Sequence, residues 1–93
     1  MKLKGLMFKK DLSPDTGFFF DKASSIHTCF MRFPIDVVYL ETLDTVRYQI
    51  VKIVRNIKPW RLSGSLEADA LIEFKSPSPV LNSIRKNDIL LFD

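Results

Sequence analysis

Ninety-three residues, 46% of them hydrophobic, leave room for one modest core and no second one, so residues 1–93 are expected to form a single domain. A single Cys excludes an internal disulfide, and eight Phe supply apolar bulk enough to do without disulfides or a structural metal. The formal net charge of +3 is modest and by itself names no partner class.

Leu3 to Lys10 predicts a short helix, because Leu3, Leu6 and Met7 fall at i, i+3 and i+4. This N-terminal stretch has no apolar core of the length a secretory signal needs, and no run in the chain approaches the ~20 apolar residues of a membrane span. A cytoplasmic protein without a membrane partner is the expectation. Ser13-Pro14-Asp15-Thr16-Gly17 is a turn by composition, followed by a short buried strand, Phe18 to Phe20. Ile26 to Phe30 reads as a second strand, and Pro34 bends the chain before a third, Ile35 to Leu40.

Glu41 to Thr45 is a hairpin connection into the longest strand, Val46 to Ile57, expected near the centre of the sheet. Pro59, in Lys58-Pro59-Trp60-Arg61, cannot donate to a ladder and ends it. Leu62 to Ala68 reads as a loop and Leu71 to Phe74 as a strand. Ser76-Pro77-Ser78-Pro79 leads into a short helix, Val80 to Arg85, and Asn87-Asp88 turns the chain into a last strand, Ile89 to Phe92. The whole is mainly β (a β-rich α+β domain): a small curled sheet, barrel or flattened sandwich with one or two short helices, since closure removes exposed edges.

His27-Thr28-Cys29-Phe30-Met31-Arg32-Phe33-Pro34-Ile35-Asp36 holds the only His and the only Cys, and ends on a carboxylate at the threshold of an apolar run. In an extended segment His27 and Cys29 share a face, yet a zinc site needs three or four ligands and no second His or Cys exists, so no metal or cofactor is expected. Cys29 inside a strand is a poor nucleophile, Gly-x-Ser-x-Gly is absent, and three isolated glycines build no phosphate loop. Asp36 must be satisfied where it stands, because an unpaired carboxylate away from water is costly. It either fixes the Pro34 bend by accepting backbone N–H groups or joins His27, Thr28 and Arg32 in a ligand pocket. Trp60 and Arg61 either cap the core and solvate, respectively, or offer a ring platform and a bidentate cation.

Between Val46 and Arg61 lie Arg47, Lys52, Arg55, Lys58 and Arg61 with no acid among them. Such a run is either a solvated face or a basic patch that attracts an anionic molecule, an acidic partner or, weakly and without sequence preference, nucleic acid.

Gly5-Leu6-Met7, Gly17-Phe18-Phe19-Phe20, Met31 with Pro34-Ile35-Asp36, and Asn56-Ile57-Lys58-Pro59 before Trp60-Arg61 stand in the order and rough spacing of one small family. The chain resembles the family catalogued as domain of unknown function 192, from about Leu3 to Phe92. The resemblance implies a compact, mainly β domain with no established activity. It also implies an opening strand, for which this chain has little length, and a Gly-Asp turn near the end, replaced here by Lys86-Asn87-Asp88, where Asn tolerates the left-handed conformation that Gly supplies. Two functions follow from the residues. One is a binding or accessory module for an anionic small ligand or partner, using His27, Thr28, Arg32, Asp36, Trp60 and Arg61. The other is an enzyme with His27 and Asp36 as acid and base.

Overall fold

A computed structural model describes residues 2–4, 16–29 and 31–91. The described chain is mainly β. Six strands form one strongly curled, half-barrel sheet in the order β1-β2-β7-β4-β5-β8: β1 (Lys2–Lys4), β2 (Thr16–Asp21), β7 (Ala70–Lys75), β4 (Ile35–Thr42), β5 (Arg47–Ile57) and β8 (Ile89–Leu91). A second, two-stranded sheet pairs β3 (Ser25–His27) with β6 (Leu62–Gly64). The β1/β2 pair is parallel and the other pairs are antiparallel.

β4 lies between β5 and β7, and all six residues from Ile35 to Leu40 are buried. Both of its faces are covered, which explains an unbroken apolar run where a one-sided strand would alternate. The first face carries Ile35, Val37 and Tyr39, packed with Leu71, Val51 and Ile57 and roofed by Ile26 of β3. The second carries Val38 and Leu40, packed with Ile50, Ile72, Phe74 and Leu81. Gly17 makes the second face possible. A Cβ there would stand 2.6 Å from Ile72 Cγ2 and 2.8 Å from the ring of Phe74, so only a glycine lets β2 lie against those side chains.

Several expectations from the sequence are corrected. Lys2–Lys4 is a strand; the rest of the helix expected over Leu3 to Lys10 lies outside the described residues, as do Ser13 to Asp15 of the first turn, Phe30 and Phe92. Helical spacing of three apolar residues is a weak signal beside the pairing that β2 offers. The strand expected over Ile26 to Phe30 stops at His27, because Thr28 turns inward to bind the 58–61 loop. Leu62 to Ala68, read as a loop, contains β6, which exists only because β3 pairs with it. The helix expected over Val80 to Arg85 is a 3-10 turn at Pro79–Ser83, with Ser78 as its cap. Arg47–Ile57 is the longest strand as expected, but it stands second from the edge, and β4 and β7 hold the centre. Asn87 adopts a positive φ of 78°, the conformation expected of it.

Candidate functional site

Asp36 lies on the second face of β4 and is fully buried. Its Oδ1 accepts the backbone N–H of Asn56 at 2.8 Å, and its Oδ2 accepts that of Ser78 at 2.8 Å. Asn56 occupies a bulge: the β4/β5 register steps from Ile35↔Ile57 to Val37↔Val54, three residues of β5 against two of β4, and Asn56 takes φ 57°. Asp36 thus ties the bulge of β5 to the cap of the 3-10 turn, with both oxygens occupied by backbone donors. Arg32, expected within reach, is exposed and makes no ion pair with it among the described residues.

His27 is exposed, at the end of β3. It helps line a shallow depression on the small sheet, with Ser25, Ile26, Leu62, Ser63 and Gly64. Asp36 is not part of that lining, so the structure does not bring the expected acid and base together. Cys29 sits half-buried in the turn after β3 rather than inside a strand. Among the described residues no three His, Cys, Asp or Glu side chains are grouped to hold a metal. No helix among them is long and apolar enough to cross a membrane.

Thr28 organises the other end of the segment. Its hydroxyl donates to Lys58 O at 2.6 Å and accepts from Arg61 N at 2.8 Å. Its backbone N–H donates to Arg61 O at 2.9 Å, and its carbonyl accepts from Trp60 N at 3.0 Å. These bonds clamp the 58–61 loop with Trp60 at φ 66°, a conformation that bulky side chains rarely adopt. Trp60 does not cap the core, as the general tendency of Trp would have it: the residue is 59% exposed. Arg61 beside it is exposed, and Leu62, cross-strand partner of His27, is 84% exposed. The loop therefore presents an indole, a guanidinium, an imidazole and an isobutyl group to solvent from a fixed backbone.

Three side chains of the basic run have separate partners. Arg47 Nε pairs with Asp44 Oδ2 at 2.6 Å in the hairpin turn, Lys52 Nζ donates to Gly64 O at 2.7 Å, and Arg55 Nη2 donates to Asn82 Oδ1 at 2.9 Å beside the 3-10 turn. Lys58 and Arg61 belong to the exposed loop.

One residue was missed. Glu73 stands between Ile72 and Phe74 in a strand expected to be buried, the same signal that drew notice to Asp36. Unlike that of Asp36, its carboxylate has no hydrogen bond or ion pair among the described residues. Its register partners on the first face are Phe18 of β2 and Val37 of β4, and burial pushes its carboxyl up to about 7. Tyr39, one register step away, donates its hydroxyl to Ser63 Oγ at 2.7 Å, so that proton is turned away from Glu73. Desolvation, and after it the charge of Glu73, act to raise the Tyr39 phenol above its ordinary value.

A family model described as DUF192, Uncharacterized ACR, matches residues 1–90. No curated protein and no solved structure matches the chain.

Proposed function

The chain belongs to the DUF192 family, and from that premise we propose that it is a small binding module whose Trp60–Arg61 loop takes an anionic small molecule bearing a ring. The observation that carries this reading is the clamped, exposed indole. Holding a Trp at positive φ costs about 1–2 kcal/mol, and leaving it 59% exposed forgoes part of the burial that a large apolar side chain offers. Both effects oppose folding, and Thr28 spends its buried hydroxyl and both backbone groups on keeping the arrangement. An indole carried on a fixed backbone is a stacking platform for which the cost of ordering the loop is already met in the free protein. Arg61 supplies a planar cation for a carboxylate or phosphate, and His27 and Leu62 border the same surface.

Trp60 is the only Trp in the chain, so its emission reports on the loop directly. Titration with phenyl phosphate and benzoate should give saturable quenching with a Kd of about 1 mM, as suits fragments. Arg61→Ala should weaken it at least tenfold at unchanged thermal stability, and benzyl alcohol, which has the ring without the charge, should not saturate. Quenching that is equal in Arg61→Ala, or absent for both anions, overturns the proposal.

A further inference from the structure

We propose that the chain forms a two-fold dimer through β8, each copy adding its last strand to the edge of the other's six-stranded sheet. The interface is independent of the Trp60 loop. β8 ends the sheet beside β5 and has no partner on its outer side among the described residues. Ile50 N donates to Asp88 O at 2.8 Å, and Leu90, next but one after Asp88, stands opposite Tyr48. Main-chain bonding alternates along an antiparallel pair, so Leu90 turns its N–H and C=O toward β5 while Ile89 and Leu91 turn theirs outward. The side chains alternate as well. Leu90 packs on the second face of the core, whereas Ile89 and Leu91 point to the other face, 52% and 69% exposed. An edge with open hydrogen-bonding groups and exposed aliphatic side chains is a template for another strand. The opposite edge differs: β1 reads Lys-Leu-Lys, a composition that blunts an edge, and β8 reads Ile-Leu-Leu.

A second copy is the occupant because this edge is complementary to itself. About a two-fold axis at Leu90, Ile89 of one copy faces Leu91 of the other, and each such pair exchanges both of its N–H···O=C bonds. The outward main-chain groups of Ile89 and Leu91 are then all used. On one face the exposed Ile89 and Leu91 side chains cover each other across the axis; on the second, Leu90 meets Leu90 of the other copy. Charge does not oppose the pairing. Antiparallel strands put the two turns that carry Arg85 and Lys86 at opposite ends, Arg47 beside Leu91 is paired with Asp44, and Asp88 holds Arg85 N. A strand of 3 residues makes a small interface, so the dimer is weak, with a Kd of about 0.1–1 mM.

Sedimentation equilibrium on the full chain, from about 0.02 to about 1 mM, should show monomer passing to dimer and stopping there. Over the same range the amide protons of Ile89 and Leu91 should move downfield as they gain acceptors, and that of Leu90 should move least. Leu91→Lys sets ammonium groups into the contact and replaces an exposed side chain. It should melt like the parent and stay monomeric at about 1 mM, whereas Trp60→Phe should dimerise as the parent does. A chain that is monomeric throughout, growth past the dimer, dimers retained in Leu91→Lys, or shifts that spare Ile89 and Leu91 would each refute the pairing.

Discussion

Asp36 and Glu73 are two carboxylates in adjacent central strands, each flanked by apolar residues, and their surroundings set them apart. Asp36 has two backbone N–H groups for its two oxygens. Asp36→Ala strands both donors, and each buried group left unpaired costs about 1–3 kcal/mol, so urea denaturation should show a loss of several kcal/mol. Asp36→Asn keeps one carbonyl oxygen but sets an NH2 against the second donor. It should therefore lose about half as much rather than behave like the parent. Thr28→Val removes the hydroxyl that joins Lys58 O to Arg61 N. Its expected cost is about 1–3 kcal/mol, with a fall in Trp60 emission anisotropy as the loop is released.

At the scale of elements, the close approach of β2 to β7 depends on one missing side chain. Gly17→Ala places a methyl 2.6–2.8 Å from Ile72 and Phe74 on a strand locked by its register, and overpacking of this kind costs about 1–3 kcal/mol. The midpoint of urea unfolding should fall accordingly. The β5 bulge makes a complementary case. Asn56 sits at positive φ, so Asn56→Val should destabilise by about 1–2 kcal/mol, whereas Asn56→Gly should be close to neutral. The bulge also aims the Asn56 N–H at Asp36, so an element-level irregularity is what satisfies the buried acid.

For the molecule as a whole, Glu73 couples global stability to pH. Its carboxyl ionises near 4.5 in the unfolded chain and at about 7 in the folded one. Between these values the folded state holds a proton that the unfolded state has released, so stability falls as pH rises from 4.5 to 7 and then levels. The shift corresponds to roughly 3 kcal/mol. Glu73→Gln should therefore raise the melting temperature at pH 8, leave it unchanged near pH 4, and flatten the profile between. The dispersal of the basic run has a molecular consequence as well. With Arg47, Lys52 and Arg55 engaged at separate places, few cations can follow one phosphate backbone together. Binding of single-stranded DNA, measured by anisotropy, should be weak, lack base preference, and vanish at about 0.2 M salt.

The sequence by itself determined the strand-rich class and most strand positions, because β-branched and aromatic runs between Pro, Gly and Asn are local signals. Val37-Val38-Tyr39-Leu40 could hardly be anything but a buried strand, and Asp36 at its edge had to be held by something. Who holds it was a tertiary matter: Asn56 lies twenty residues away and Ser78 forty-two, and spacing along the chain carries no trace of either bond. The same holds for β6, whose Leu62-Ser63-Gly64 has no strand signal of its own and is extended because β3 pairs with it. Trp60 and Glu73 illustrate the limit from both sides. Average tendency places a Trp inside and a Glu in water; the Thr28 clamp puts the indole outside, and the apolar sheet face draws the carboxylate in. Residue type sets what a side chain prefers, but its partners are set by which strands the fold makes neighbours, and that is decided only when the sheet closes over its core.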